Sequence, residues 1–267
     1  MSGTRQHLAP KKSFGQHFLN DASVIQKILA AVPWDSAKKI VEVGPGRGAL
    51  TIPMYAKLSK EGRASDVILV ELDADLLPNL RERFPEAEIV HADAAQVDWA
   101  KITSEESWLL VSNLPYNAGT AIVNEAFWGT HPPVAAVVML QKEVGERILA
   151  KPPDMSVLSV AMQLKTQAKR VCNVKPGAFI PPPKVDSIVL SLVAVSTYEK
   201  KQAEQMVALA KKGFAHARKQ LRQTLAQGGE GEREEIGKVL AGAGLSPLAR
   251  PEELSLAVWA ALVKDKR

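Results

Sequence analysis

Lys39-Ile40-Val41-Glu42-Val43-Gly44-Pro45-Gly46-Arg47-Gly48 decides the fold. Ile40, Val41 and Val43 favour extended backbone, and the run is short and closed by glycine, so it reads as a buried strand. Three glycines at alternate positions follow, then a helical segment over 49–58. Glycine allows a sharp turn and lets backbone come close to a ligand at the carboxyl end of a strand. A strand, a glycine turn and a helix in that order open a parallel α/β unit.

The same alternation continues on both sides. A second strand, Val67–Val70, runs into Glu71-Leu72-Asp73, and a helix follows to about Phe84, with a kink expected at Pro78. Glu88–His91 is a third strand, leading to Asp93, and Trp108-Leu109-Leu110-Val111 a fourth, leading to Asn113-Leu114-Pro115-Tyr116. Residues 118–128 read as a helix and Val134–Leu140 as a fifth strand. Helices are expected over 142–150 and 156–167, then two late strands at Val171–Val174 and Val185–Val193. Continuous apolar strands alternating with helices predict a mostly parallel sheet covered on both faces. The late strands, joined without a helix, predict an antiparallel edge. Asp21 is a candidate cap for a helix carrying Val24, Ile25, Ile28 and Leu29 on one face. Ahead of it, the arm from Lys11 to Asn20 holds Phe14, Phe18 and Leu19, which need burial.

From Glu199 only helices are expected. Val207, Ala210, Phe214, Ala217, Leu221 and Leu225 form one apolar stripe, ended by Gln227-Gly228-Gly229. The expected division is a 1–197 α/β domain and a 198–267 helical domain.

Composition bounds the function. The 267 residues are 46% apolar, enough for a full core, and no run of 18 apolar residues suggests a membrane span. The first residues, with Arg5, Lys11 and Lys12, lack the apolar core of a signal peptide. The single Cys172 excludes a disulfide framework and any cysteine-based metal cluster, which fits the cytoplasm. Charge is segregated: residues 35–110 carry 9 Lys and Arg against 14 Asp and Glu, 142–184 carry 8 against 3, and 199–222 carry 7 against 2. Two basic blocks set against an acidic one imply a polyanionic partner on one side, and Lys211, Lys212, Arg218, Lys219 and Arg222 are its candidate phosphate contacts.

Open α/β sheets bind ligands beyond the carboxyl ends of their strands, and four features fall there. The spacing from Gly44 through Gly46 to Gly48 departs from the dinucleotide fingerprint, and Glu42 stands two residues before it. S-adenosylmethionine has no pyrophosphate to cradle and carries a sulfonium and an ammonium, so an acidic surrounding suits it. Glu71 can accept both ribose hydroxyls of a nucleoside, and Asp93 can hold an adenine amine. The Asn113 side chain and the Leu114 carbonyl can accept the two protons of an exocyclic –NH2, Pro115 stiffens the loop, and Tyr116 can stack on the heterocycle.

These stretches carry a specific resemblance. Phe14-Gly15-Gln16-His17-Phe18-Leu19, Val41-Glu42-Val43-Gly44-Pro45-Gly46, Glu71-Leu72-Asp73, Asn113-Leu114-Pro115-Tyr116-Asn117, Leu140-Gln141-Lys142-Glu143-Val144 and Phe179–Ser187 follow one another in order. Together they resemble the small-subunit ribosomal RNA adenine dimethyltransferases, the KsgA family. The resemblance implies a class I S-adenosylmethionine-dependent methyltransferase domain followed by a small all-helical domain. It implies cofactor contacts from His17, Leu19, Gly44, Glu71, Asp93 and Asn113, of which His17 and Leu19 are not reached by spacing. It implies dimethylation of two adjacent adenines near the 3′ end of small-subunit rRNA, with no metal required. Phe179 is a second candidate for stacking, and Lys184, after three prolines, for phosphate. The sequence departs from the family at His17, where asparagine is common, at Ser112, where glycine is usual, and at Met155-Ser156, which replace Tyr-Gly. The competing readings are a large-subunit rRNA methyltransferase conferring macrolide resistance, a non-catalytic RNA-binding relative, and a small-molecule or protein methyltransferase.

Overall fold

The computed structural model describes residues 17–216, 219–226 and 229–264. In chain order the first elements are β1 (Phe18–Leu19), α1 (Ala22–Ala30), β2 (Lys39–Val43), α2 (Thr51–Lys60), β3 (Val67–Glu71), α3 (Leu77–Arg83) and β4 (Glu88–His91). Then come α4 (Trp99–Ile102), β5 (Trp108–Asn113), α5 (Gly119–Trp128), β6 (Ala135–Gln141), α6 (Lys142–Leu149) and α7 (Val157–Lys165). The chain continues with β7 (Thr166–Val174), β8 (Phe179–Ile180), β9 (Ser187–Ala194), α8 (Lys200–Ala215), α9 (Leu221–Leu225), α10 (Glu230–Gly242) and α11 (Leu256–Lys264).

The chain divides into two compact units, residues 1–143 with 169–193 and residues 144–168 with 194–267. The chain therefore crosses between units three times. The last crossing, after Val193, lies near the expected boundary at 197. The excursion through 144–168 departs from the expected division, because a helix following a strand reads locally as part of the α/β alternation.

In the first unit seven strands lie in the order β4-β3-β2-β5-β6-β9-β7. β2, β3, β4, β5 and β6 pair in parallel, and β9 runs antiparallel to β6 from Ala135↔Val193 to Gln141↔Ser187. This is the mostly parallel sheet with an antiparallel strand that the apolar runs predict. β3 is buried along its whole length, whereas the edge strand β4 is not. Strand order reverses between β2 and β5, so the loops leaving their carboxyl ends diverge and open a crevice. Their ladder runs from Lys39↔Trp108 to Val41↔Leu110. Beyond it the buried Ser112 hydroxyl donates to the Val43 carbonyl at 2.6 Å. The hydroxyl that replaces the family's glycine thus ties the two site-bearing strand ends together.

Local signals explain the helix starts. The Asp21 carboxylate accepts from the Ser23 and Val24 amides at 2.8 and 3.1 Å, capping α1 as expected. Pro78 does not kink α3. It sits in the helix's first turn, where no N–H is needed. Ser156 and Ser159 cap each other reciprocally at the start of α7.

The second unit is helical apart from its share of β7 and β9, but its main helix shows a different face from the expected one. α8 buries Ala203, Met206, Leu209, Ala210 and Gly213, while Val207 and Phe214 are only half-buried. The stripe also does not run on, because α8 ends at Ala215 and Leu221 and Leu225 belong to α9. The reason is Gly213. A Cβ there would lie 2.8 Å from Leu221 Cδ1 and 3.0 Å from Trp259 Cη2, so the bare backbone is where α9 and α11 approach. Ala217 and Arg218 lie outside the described residues, as do Lys11, Lys12, Phe14, Gln227 and Gly228.

Candidate active site

One cleft lies at the carboxyl edge of the first unit's sheet. It is lined by residues of β1, of the glycine turn after β2, of the ends of β3 and β4, and of the loop after β5. His17, Leu19, Gly44, Gly46, Glu71, Asp93, Asn113, Leu114, Pro115 and Tyr116 all line it. Gly44, Gly46, Glu71, Asp93, Asn113, Leu114, Pro115 and Tyr116 meet because parallel strands all present their carboxyl ends on one side, and the β1–β8 ribbon brings His17 and Leu19 to them. The cleft holds about 220 Å³, far more than the ~30 Å³ a single water occupies.

One wall is acidic. Glu42 and Glu71 are both buried. Thr51 Oγ1 donates to Glu42 Oε2 at 2.7 Å, and burial outweighs this bond, pushing the Glu42 carboxyl up to about 8. Glu71 accepts from the Gly46 amide at 3.3 Å and the Asp73 amide at 2.9 Å, and burial again holds its pKa above the ordinary range. Gly46 has φ +54°, and a Cβ on it would sit 2.9 Å from the Phe18 ring. The glycine therefore serves the backbone turn, the bond to Glu71 and the close approach of β1. Asp93 accepts from the Ala95 amide and from Gln96 Nε2, both at 3.0 Å, so it caps its own turn while lining the cleft.

The facing wall is the loop after β5. Asn113 Nδ2 donates to the His17 carbonyl at 3.1 Å, which fixes the amide's orientation. Its Oδ1 is buried and has no hydrogen-bond partner. Such an atom costs free energy until a donor reaches it. Tyr116 is half-buried, and its hydroxyl bonds the buried Ser187 hydroxyl. Burial raises the phenol pKa, against the Ser187 bond. The His17 ring lies 5.3 Å from the Tyr116 ring at 34°, and His17 Nδ1–H donates to the Pro181 carbonyl at 2.9 Å.

Phe179 requires a correction. The sequence offers it as a ring to stack on substrate, but it is 2% exposed, belongs to the hydrophobic core and meets Tyr116 edge-on at 6.3 Å. In β8 it is the inward residue of an alternating pair, so its face is spent on packing. Lys184 is exposed. In the second unit Lys211, Lys212 and Lys219 are exposed, and Arg222 is half-buried with Nε donating to Gln220 Oε1 at 3.3 Å. Lys211 and Lys212 stand on α8, which ends at Ala215, and Arg222 stands on α9, so these bases do not share one helix.

Sequence reasoning passes over Glu42, Phe18, Arg47 and Ser187 as site residues. Glu42 is visible as the acid two residues before Gly44. Nothing local marks Ser187, whose role depends on a strand pairing 71 residues away from Tyr116.

The chemistry of the cleft fits a cationic nucleoside ligand. The buried Glu71 carboxylate favours positive charge and keeps acceptor capacity for hydroxyls, the buried Glu42 carboxyl can ionise toward a cation, and an acceptor without a donor stands opposite.

Comparison with known proteins agrees. The sequence pattern of the family described as ribosomal RNA adenine dimethylase matches residues 8–260. Ribosomal RNA small subunit methyltransferase A of Dehalococcoides mccartyi is 38% identical over 258 residues, covering 94% of this chain and 87% of the relative. The protein of the same name from a Synechococcus species is 38% identical over 267 residues, covering 95% of both. Among solved structures, a dimethyladenosine transferase from Plasmodium falciparum superposes with TM-score 0.73 at 21% identity over 93% of this chain and 97% of that one. The 23S rRNA methyltransferase ErmE superposes with TM-score 0.72 at 24% identity, over 92% and 98%. The two superpositions show the class I methyltransferase fold with its helical part, and they do not separate the two activities.

Proposed function

The chain belongs to the ribosomal RNA adenine dimethylase family, and from that premise we propose that it dimethylates N6 of two adjacent adenines near the 3′ end of small-subunit rRNA. S-adenosylmethionine supplies the methyl group as an electrophile. Glu71, Asp93, Gly44, Gly46, His17 and Leu19 would hold it. The observation that carries the reading is the buried, unpartnered Asn113 Oδ1 in a cleft shared with Tyr116 and Glu71.

An adenine amine is a weak nucleophile because its lone pair is delocalised into the ring. Asn113 Oδ1 and the Leu114 carbonyl accept its two N–H groups, orient the lone pair and stabilise the positive charge that develops on nitrogen. Tyr116 stacks on the extruded base. No strong base is required, because the newly methylated ammonium is acidic enough to lose its proton.

The small-subunit reading is favoured over the macrolide-resistance one by the relatives of 38% identity, which are small-subunit enzymes by name. The substrate proposed is an incompletely assembled small subunit, which holds the target in a folded shape that naked rRNA lacks. The enzyme would act as a monomer in the cytoplasm. Among the described residues no helix is long and apolar enough to cross a membrane. The test offers the protein and labelled S-adenosylmethionine to immature small subunits, naked small-subunit rRNA and large-subunit rRNA in parallel. Label in the immature particle is expected. Preferential label in large-subunit RNA, or macrolide resistance on expression, would overturn the assignment.

Lys211, Lys212 and Lys219 are proposed as phosphate contacts, with Lys184, Arg218 and Arg222 as further candidates. Replacing the three exposed lysines by alanine is expected to flatten the slope of log K against log salt by about one unit for each phosphate no longer neutralised. An unchanged slope would mark them as solvated surface.

A further inference from the structure

β1 and β8 form a two-stranded antiparallel ribbon in which Phe18 pairs with Ile180 and Leu19 with Phe179. Side chains alternate across a ribbon, so each pair shares a face. Leu19 and Phe179 point into the hydrophobic core. Phe18 and Ile180 therefore share the opposite face, where Ile180 is 54% exposed. This face is continuous with the active-site cleft: Phe18 lines the cleft, lies on Gly46, and is one residue from His17. It also carries a cation. The Arg47 guanidinium stands 4.5 Å from the centre of the Phe18 ring, and Arg83 Nη1 donates to the Arg47 carbonyl at 2.9 Å. After Ile180 the chain is held in place, because the Pro181 carbonyl accepts from His17.

We propose that the Phe18–Ile180 face, with Arg47 beside it, seats the nucleotide adjacent to the extruded adenine. The inference rests on the functional reading above and extends it to a second subsite. A flipped base drags its neighbours to the mouth of the pocket, and a neighbour that has lost its stacking partner presents a bare apolar ring and a phosphate. An exposed aliphatic side chain backed by an aromatic ring covers the former, and a guanidinium complements the latter.

The experiment is a cycle between protein and RNA. Immature small subunits are assembled with rRNA carrying either the normal neighbour of the target adenine or an abasic nucleotide there. KM and kcat for methyl transfer are measured at saturating S-adenosylmethionine with the unaltered protein, Ile180→Ser and Ile180→Leu. The abasic neighbour is expected to raise KM roughly fivefold or more for the unaltered protein. Ile180→Ser should raise KM by a similar factor on normal particles, and the abasic change should then add little, because both remove the same interaction. Ile180→Leu, which keeps the apolar area, should behave like the unaltered protein. Calorimetry with S-adenosylmethionine alone should give the same affinity for all three, showing that the fold and pocket are intact. Fully additive effects, or an Ile180→Ser loss that ignores the neighbouring base, would overturn the seat and point to a protein contact instead. Failure of the unaltered protein to methylate any particle sinks the functional reading and the seat with it.

Discussion

The two walls of the cleft are built in opposite ways. On the acidic wall, Glu71 already accepts two backbone amides and Glu42 accepts the Thr51 hydroxyl. On the facing wall, Asn113 has its amide nitrogen tied to His17 and its oxygen bare. Hydrogen bonds offset part of the cost of burying a polar group, whereas an orphaned buried acceptor is a standing penalty that a substrate donor relieves. The difference assigns the walls different tasks. On the proposed function the acidic wall contributes ground-state affinity for the methyl donor. On the same proposal the other wall keeps its interaction for the group that reacts and contributes to rate.

The comparison breaks most visibly at Asn113. Asn113→Ala is expected to lower kcat by orders of magnitude while leaving RNA affinity nearly unchanged, since phosphate contacts dominate that affinity. Single-turnover transfer and a filter-binding titration separate the two. Near-normal transfer by this variant would mean that the amine is oriented elsewhere.

Glu71→Ala tests the other wall. Charge-assisted hydrogen bonds contribute roughly 1.5–3 kcal/mol each. Losing the bonds to ribose should weaken S-adenosylmethionine about ten- to a hundredfold, read by calorimetry. The substitution also frees the Gly46 amide, so the turn's order should be checked by hydrogen exchange. An unchanged affinity would remove Glu71 from the cofactor wall.

Smaller effects are expected where the reactive wall is braced. By stacking alone, Tyr116→Phe would be mild. The structure predicts more, because the phenol bonds a buried serine. Losing it leaves Ser187 unpaired, at about 1–3 kcal/mol, and frees the ring to tilt. Ser187→Ala should reproduce part of the same loss, and the double variant should cost no more than Tyr116→Phe alone. Additive losses in that cycle would show that the bond does not position the ring.

The same contrast explains how far the sequence can be read. The convergence of Gly44, Glu71, Asp93 and Asn113 on one cleft is legible because each stands at or just past the carboxyl end of a strand, and parallel strands of one sheet must deliver their ends to one edge. His17 and Leu19 are reached only by resemblance, since a two-strand ribbon made with residues about 160 positions later leaves no local pattern. Phe179 is misread for the same reason: pairing decides which way its ring points. On α8 the apolar stripe is read out of phase with the buried face. That face carries Ala203 and Gly213 beside Met206 and Leu209, and helix periodicity gives its small residues little weight. The excursion of 144–168 into the helical unit depends on packing partners far along the chain, among them Glu252, whose carbonyl accepts the Met155 amide.

At Glu42 the acidic wall departs from its own rule. Its carboxyl is held at about 8 by burial, against the ordinary value near 4.5. Between those values the folded protein keeps a proton that the unfolded chain has lost. Stability must then fall as pH rises from about 4.5 to about 8 and level off above it. Glu71, raised in the same direction, adds to the slope. Glu42→Gln has the shape of the neutral acid and cannot ionise, so its melting temperature should fall less than the unaltered protein's over about pH 5 to 8. A cationic ligand reverses the preference, because a positive charge in the cleft favours the carboxylate. Binding of S-adenosylmethionine near pH 7 should therefore release protons, measurable as a buffer-dependent heat, and Glu42→Gln should abolish most of that dependence. If the two proteins gave parallel melting curves across this range and equal buffer dependence, Glu42 would be a spectator in the wall. The satisfied arrangement at Glu71 alone would then account for the cleft's preference for positive charge.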